Sequence, residues 1–265
     1  TILQTIALGI AFLWTIIFFR TANPIRLLAG ILLTIISVGW AFNITNIWDY
    51  AYPQNLYSAT WDKDLNPKNA TINVNVGFFN KAYYNHETSK VSDQARLLSL
   101  DILGIAEITE ADYNNLKTQL PFANSYFTTC QCQGSEGSQV ALFSRYPLTN
   151  IQANSIEKTP MIQADITIQN KVLNVIVVHP YAPTHTADLV QRNSSLNQLN
   201  QRLKVYDNRQ VVLMGDFNTA SWSWSYKNFL LSLPWLRDTN RGQGLTSTWN
   251  SGIFHTIIDH MLISS

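Results

Sequence analysis

The chain has 265 residues, of which 46% are hydrophobic and 13% are charged, and its formal net charge is +1. A hydrophobic content of this size excludes an intrinsically disordered chain, and the length suffices for one large domain with an appendage. The charged fraction lies well below the usual ~25%, which indicates that part of the surface does not face water. The near-neutral balance argues against the broad basic footprint of a tight nucleic-acid binder.

Two uncharged apolar segments open the sequence, at residues 2–19 and 27–44. Each is close to the minimum length of a membrane-spanning helix, so together they predict a transmembrane helical hairpin within residues 1–45. Buried helices of a soluble domain are the alternative. The second apolar segment and the lack of a small-residue cleavage site argue against a signal peptide. Only Arg20 and Arg26 carry charge between the segments, and because positive loops stay in the cytoplasm, both chain ends are expected on the outer side.

Residues 46–70 begin with aromatic side chains suited to a membrane interface and continue into a polar, turn-rich stretch, which predicts a linker. A soluble domain is expected over residues 71–265. Within it, one residue separates Cys130 from Cys132. A bridge over so short a spacing would be strained and a metal site needs more soft ligands, so free or partner-linked thiols are expected.

Apolar strand patterns alternate with helix-compatible segments in this domain. The strand patterns cover residues 70–78, 101–108, 138–144, 161–168, 171–178, 211–218 and 256–263. The helical patterns cover residues 92–100, 187–205 and 225–233. A hairpin is expected around Gln169 and Asn170, although that turn lacks the favoured glycine. Fully apolar central strands interleaved with helices favour an α/β sandwich over an all-β domain.

The stretch VVLMGDFNT ends a buried strand with two oxygen-bearing side chains. Asp216 and Asn218 are two positions apart, so on an extended chain they face the same side. Gly215 lets the backbone turn or approach a neighbour closely at this strand end. The pattern is equally compatible with a plain turn, since Asp and Asn satisfy their own backbone in turns.

Four other apolar strands are interrupted by or end at a polar residue: Asn75 interrupts INVNV, Glu107 interrupts ILGIAEI, His179 follows VLNVIVV and Asp259 follows TII. Each residue has a structural alternative: Asn75 as a bulge residue, Glu107 as an edge charge, His179 as a strand-end imidazole and Asp259 as a cap. Burying unpaired carboxylates costs roughly several kcal/mol unless a metal ion or hydrogen bonds compensate. Five such positions together therefore predict a functional site.

These motifs resemble the endonuclease/exonuclease/phosphatase superfamily. The matching stretches are NVNV, DILGIAEI, VALFSRYPL, VVHPYAPT, GDFNT and IIDHMLIS, which stand in family order over residues 71–265. The resemblance implies a four-layered α/β sandwich of two packed mixed β-sheets flanked by helices, here preceded by the transmembrane hairpin. That hairpin is similar to the one in the membrane-anchored bacterial branch of the superfamily.

The resemblance also implies the chemistry of the site. Asn75 and Glu107 would hold Mg²⁺, with Mn²⁺ as the alternative. Asp216 would orient or deprotonate the attacking water, and Asn218 would donate to a phosphate oxygen. His179 would bind or protonate the phosphate.

Asp259 occupies the position whose carboxylate orients a second histidine in the superfamily. That histidine belongs to a Ser-Asp-His motif, which the sequence ending at Ser265 does not contain. His260 is not expected to replace it, because neighbouring strand residues point in opposite directions. The sequence is therefore expected to be a fragment, truncated at its C-terminus, with an incomplete site. Arg145 and Trp249 also lie in family motifs and are candidates for substrate binding, with a structural role as the alternative for Arg145.

The expected function is a membrane-anchored, metal-dependent hydrolase of phosphate esters, of the phosphodiesterase, nuclease or phosphatase type. Its expected location is the bacterial inner membrane, with residues 2–19 and 27–44 in the lipid bilayer and the catalytic domain on the periplasmic side. Nucleic acid and a phospholipid headgroup, as in sphingomyelinases, are both open as substrates, and no protein partner is evident. The alternative is a catalytically silent, membrane-tethered binding or structural module.

Overall fold

The computed structural model describes residues 9–10, 13–14, 16, 24–45, 73–130, 132, 138–156, 158–240, 247–251 and 254–264. The chain divides into two units. The smaller unit comprises Thr1–Lys63 and Asn240–Ile257. The other, which we call the sandwich unit, comprises Asp64–Thr239 and Ile258–Ser265.

The described helices are α1 (Pro24–Thr45), α2 (Thr88–Leu97), α3 (Glu110–Gln119), α4 (Thr186–Leu203) and α5 (Trp224–Leu231), with a short 3₁₀ helix at Lys204–Tyr206. The strands are β1 (Val76–Asn80), β2 (Ile102–Ala106), β3 (Asn124–Phe127), β4 (Val140–Ser144), β5 (Leu148–Ile156), β6 (Thr159–Ile168), β7 (Lys171–Val178), β8 (Gln210–Asp216), β9 (Leu236–Asp238), β10 (Trp249–Ser251), β11 (Phe254–Thr256) and β12 (Asp259–Ser264).

The smaller unit contains α1 and the antiparallel pair β10–β11. Residues 27–44 of the expected hairpin lie within α1, whereas most of residues 2–19 and all of the expected linker up to residue 70 are outside the described part of the chain. Among the described residues, no helix is long and apolar enough to cross a membrane.

Two mixed β-sheets form the centre of the sandwich unit. The first has the strand order β1-β2-β4-β3, in which β1 and β2 are parallel. The second has the order β5-β6-β7-β8-β12-β9, in which β7 and β8 are parallel. Carboxyl ends of parallel neighbours meet at one edge, so each sheet presents one pair of strand ends together.

Alternation along β2 explains the layering. Ile102 and Ala106 pack with Val177 and Met214 of the second sheet, in the core between the sheets. Leu103 and Ile105 face the other way, into a core that includes residues of α2 and α3. Helices α4 and α5 cover the far face of the second sheet in a third core. The result is the predicted four-layered α/β sandwich, and β2 is apolar throughout because both of its faces are buried.

The hairpin between β6 and β7 turns at Gln169 and Asn170 as predicted. These residues have φ values of 47° and 68°, which are the left-handed conformations that a two-residue type I′ turn requires. Asn adopts this region more readily than most residues, so the turn forms without glycine. The helix expected over 92–100 instead begins at Thr88, with Ser92 buried inside it rather than at its N-cap.

Cys130 and Cys132 form a disulfide in the sandwich unit, with 5.2 Å between their Cα atoms. The prediction of free or partner-linked thiols is therefore wrong. The Cα separation lies within the range that a disulfide spans, so a spacing of one intervening residue does not prevent the bond. The side-chain amide of Gln139 donates to the carbonyl of Cys130 and fixes this segment against the start of β4.

Candidate active site

Four polar side chains meet at the carboxyl ends of the two parallel strand pairs. Asn80 is the last residue of β1, and Glu107 follows β2 in the same sheet. His179 follows β7, and Asp216 is the last residue of β8 in the second sheet. The packing of the two sheets brings these ends together, so the site joins both sheets.

Asn80 connects the two carboxylates. Its Nδ2 donates to Glu107 Oε1 at 2.8 Å and to Asp216 Oδ2 at 2.9 Å. Its Oδ1 accepts the backbone N–H of Ala82 at 2.9 Å. Because that N–H requires an acceptor, the amide is oriented with its nitrogen toward the carboxylates. We refer to Glu107 and Asp216 as the carboxylate pair.

Glu107 has a left-handed backbone, with φ of 52°. This conformation is uncommon for residues other than glycine and is often found at functional sites. This conformation ends the extended strand β2, so the side chain of Glu107 does not point into either buried face of the sheet. The carboxylate accepts the backbone N–H of Tyr83 through Oε2 at 3.3 Å and remains partly exposed to solvent.

Asp216 and Asn218 form a turn that also builds the site. Asp216 is buried, and its Oδ1 accepts the backbone N–H of Asn218 at 2.7 Å. Asn218 has φ of 48°, and its Nδ2 donates to the carbonyl of Pro180 at 2.9 Å. Burial raises the pKa of Asp216 above its ordinary value of 3.8, against the opposing effects of His179 and of hydrogen bonds from Asn218 and Asn80. The turn at residues 216–218 therefore forms part of the site.

Gly215 precedes this turn because no side chain fits there. A Cβ at this position would lie 2.0 Å from the carbonyl oxygen of Val178 on the neighbouring strand. Close approach of the β7 and β8 backbones, rather than an unusual φ angle, requires glycine here. This approach sets the position of Asp216 relative to the end of β7.

His179 is buried, with its Nδ1 3.3 Å from the carbonyl oxygen of Ser138. A carbonyl can only accept, so Nδ1 carries the proton in this contact and Nε2 presents its lone pair to the site. Nε2 lies 3.7 Å from Glu107 Oε1 and 3.4 Å from Asn218 Nδ2. The imidazole is therefore oriented to accept a proton or to bind a cation.

Glu107, His179 and Asp216 fit a divalent cation. Each offers one ligand atom, and the three atoms lie within 4.8 Å of one another. Two carboxylates at this separation repel each other, which a cation between them would relieve. Carboxylate oxygens are the donors that Mg²⁺ and Mn²⁺ favour, whereas an imidazole nitrogen is favoured by softer ions.

The structure does not bring Asn75 to this site. Asn75 precedes β1, and its Nδ2 donates to the carbonyl of Ser99 at 3.1 Å. Its backbone N–H donates to Asp101 Oδ2 at 2.9 Å, before the start of β2. Glu107 follows the opposite end of β2, so the prediction that Asn75 shares a metal site with Glu107 is wrong. Asn80, which the sequence reasoning missed, contacts Glu107 instead; its signal was a polar residue ending the apolar run VGFFN.

Arg145 lies at the same distant end of the first sheet. Its Nε donates to the carbonyl of Leu100 at 3.0 Å and is 3.4 Å from Asp101 Oδ1. These contacts fix the start of β2 to the end of β4, which is the structural alternative for this residue. Its expected binding of substrate stays a prediction.

Asp259 lies beside Asp216, because the two residues are partners in the antiparallel register of β12 and β8. Its neighbour His260 points away, as expected, and stacks on Tyr226 with 3.9 Å between the ring centroids. Trp249 lies on β10 in the smaller unit, where it is partly exposed. Its expected contact with substrate stays a prediction.

Comparison with known proteins agrees with this architecture. Residues 70–265 match the Endonuclease/Exonuclease/phosphatase family. No curated protein matches the sequence. Because the family match covers most of the chain, the protein belongs to the endonuclease/exonuclease/phosphatase family of phosphoester hydrolases.

Solved structures share the fold at low sequence identity. A humanized D. rerio TDP2 with 14 mutations is 14% identical, with a TM-score of 0.60 over 72% of this chain and 83% of that one. The mannosyl-6-phosphatase of Bacteroides thetaiotaomicron is 16% identical, with a TM-score of 0.60 over 72% and 85%. A hairpin-deletion mutant of Staphylococcus aureus beta toxin is 14% identical, with a TM-score of 0.57 over 74% and 88%.

Proposed function

We propose that this protein hydrolyses phosphate esters with the help of Mg²⁺ bound at the carboxylate pair. The observation that carries the proposal is the meeting of Glu107, His179 and Asp216 ligand atoms within 4.8 Å at the edge of the two sheets. Membership of the family supports the reaction class. The two carboxylates support the choice of a hard divalent cation as the metal.

Mg²⁺, when bound, would polarise the phosphoryl oxygen and offset the charge on the leaving group. The carboxylate of Asp216 would accept the proton of the attacking water, oriented by the backbone N–H of Asn218 at Oδ1 and by the amide of Asn80 at Oδ2. His179 holds a second proton-accepting position at Nε2 because Nδ1 is committed to Ser138. Asn218 supplies an amide donor for a phosphate oxygen next to that imidazole.

A hydrolysis assay with Mg²⁺ tests the proposal. Suitable substrates are DNA, RNA, sphingomyelin and a bis-aryl phosphodiester, which separate nuclease from phospholipase activity within one reaction class. Glu107→Ala and Asp216→Ala are each expected to lower kcat/KM by about 10²–10⁴-fold. Asn75→Ala is the matched control and should keep the wild-type rate.

Wild-type rates in both carboxylate variants would refute the site assignment. Phosphate binding that depends on Mg²⁺ without turnover of any substrate would instead favour the catalytically silent binding module.

We also propose an extracytoplasmic location with an N-terminal membrane anchor at residues 2–19 and 27–44. The disulfide between Cys130 and Cys132 supports an oxidising compartment, where such bonds persist. The exposed apolar side chains of α1, which include Leu28, Leu32 and Ile35, support attachment to an apolar phase. A periplasmic reporter fused near residue 66 should be active and a cytoplasmic reporter silent; the reverse pattern would reject the proposed orientation.

A further inference from the structure

The outer side of the turn at residues 216–219 is held by two buried side chains from different elements. Arg192 on α4 donates from Nη1 to the carbonyl of Asn218 at 2.7 Å. His260 on β12 has its Nε2 3.0 Å from the carbonyl of Thr219. Arg192 is 6% exposed and His260 is 1% exposed. Two consecutive carbonyls of the turn are therefore fixed from behind by side chains that solvent does not reach.

Arg192 is directed toward the turn by its own helix. Its Nε and Nη2 donate to Oδ1 of the adjacent Asn193 at 3.3 and 2.9 Å. This bidentate contact sets the plane of the guanidinium and leaves Nη1 for the carbonyl of Asn218. Burial lowers the pKa of Arg192 below its ordinary value, because it removes water from around the cation.

His260 is held by a contact at each of its ring nitrogens. Nδ1 lies 3.1 Å from Asp238 Oδ2 on β9, and Nε2 faces the carbonyl of Thr219. The Thr219 carbonyl can only accept, so Nε2 carries a proton and donates to it. Tyr226 on α5 stacks on the ring and donates its hydroxyl to the same carboxylate.

The turn requires such support because its conformation is not an ordinary one. Asn218 is left-handed, with φ of 48°. Its backbone N–H is the donor that orients Asp216 Oδ1, and its side chain lies beside His179. A change in the peptide after Asn218 would thus reorient both groups that face the phosphate.

We propose that Arg192 and His260 are positioning residues for the reaction: they hold the carbonyls of residues 218 and 219 and thereby keep Asp216 and Asn218 in their reactive orientation. The catalytic part of this inference rests on the proposed function. Neither side chain contacts the carboxylate pair, so each acts through the turn and not on the substrate.

The test combines amide hydrogen exchange by NMR with steady-state kinetics. Arg192→Met and His260→Phe remove the donors and keep similar shape, whereas Arg192→Lys retains one donor. We expect the Asn218 amide to exchange at least tenfold faster in the first two variants, with exchange at Leu213 in the middle of β8 unchanged. Arg192→Lys should recover most of the protection.

In Arg192→Met and His260→Phe, kcat should fall at least tenfold, with KM within about twofold of wild type. Arg202→Met is the matched control, since Arg202 is on the same helix and bonds to Gln152 at the surface; both readouts should stay at wild-type values. Wild-type exchange at Asn218 in Arg192→Met, or an equal rise at Leu213, would overturn the proposal. If His260→Phe does not fold, Arg192→Met decides alone. If the wild type hydrolyses no phosphate ester, the proposed function fails, while the exchange data still decide whether these residues hold the turn.

Discussion

Replacing Asn80 with alanine removes the amide that joins the carboxylate pair. Two hydrogen bonds to carboxylates are lost, at 2.8 and 2.9 Å. Each bond to a charged group contributes about 1.5–3 kcal/mol, but water replaces part of the bond to the partly exposed Glu107. We therefore expect the free energy of unfolding of the metal-free protein to fall by ~2–4 kcal/mol. Since the bond from Asn80 lowers the pKa of Asp216, the loss should be largest at neutral pH and shrink as Asp216 becomes protonated.

Urea denaturation followed by circular dichroism, without added metal, measures this loss. Initial rates with Mg²⁺ should show kcat/KM lowered by about 10–100-fold, as is typical when the orientation of a ligand carboxylate is lost. Asn75→Ala is the matched control, because Asn75 bonds to Ser99 at the far end of the sheet. If Asn75→Ala reduced the rate and Asn80→Ala did not, the reasoning about which strand end forms the site would be refuted.

Three further perturbations test the framework around the site. Lys81→Met removes the cation 2.8 Å from the buried Asp112, so urea denaturation should show a loss of about 3–5 kcal/mol. Burial alone would raise the pKa of Asp112, but hydrogen bonds, chiefly from Lys81, hold this pKa below 3.8. The free energy of unfolding of the wild type should therefore drop as the pH falls through that lowered pKa. A free energy of unfolding that does not change in acid would contradict this. Gly215→Ala places a Cβ 2.0 Å from the Val178 carbonyl and should lower the free energy of unfolding by about 3 kcal/mol. Gly77→Ala is the control: its Cβ meets only a leucine side chain, so the loss should be smaller. Equal losses would show that close approach of the β7 and β8 backbones is not the reason for glycine at position 215. Mg²⁺ at 100 times its Kd should stabilise the wild type by about 2.7 kcal/mol, seen as a higher Tm, and should leave a variant with both members of the carboxylate pair changed to alanine unaffected.

The layered fold was predictable because it follows from local hydrophobic patterns and from the order of the motifs along the chain. The run ILGIA is apolar at every position, which indicates a strand with both faces covered, and β2 is buried on both faces. Asp216 and Asn218 were identified because strand geometry relates residues two positions apart. The sequence could not distinguish a turn from a functional site at these residues, because the same side chains bond to the backbone and face the site.

The choice between Asn75 and Asn80 depended on strand pairing. Both are asparagines at the ends of one apolar run, and periodicity alone does not say which end meets the carboxylates. The parallel register that pairs Val76 with Ile102 decides it, because it aligns Asn80 with the end of β2 that precedes Glu107. Register depends on how the hydrophobic pattern of one strand matches that of its neighbour, so it is not visible in the residues of a single strand.

By itself the sequence determined the α/β class, the order of the strands that carry polar ends, and most of the side chains that face the site. These properties follow from hydrophobic periodicity and from short motifs whose chemistry is local. The tertiary structure alone decided that Asn80 joins the carboxylate pair, that Cys130 bonds to Cys132, and that Arg192 and His260 support the turn from behind. The contacts of Asn80, Arg192 and His260 join segments that are distant in the sequence, and their proximity depends on how the two sheets and their helices pack. The bond between Cys130 and Cys132 depends on the distance between their Cα atoms, which the spacing of the two residues alone does not determine.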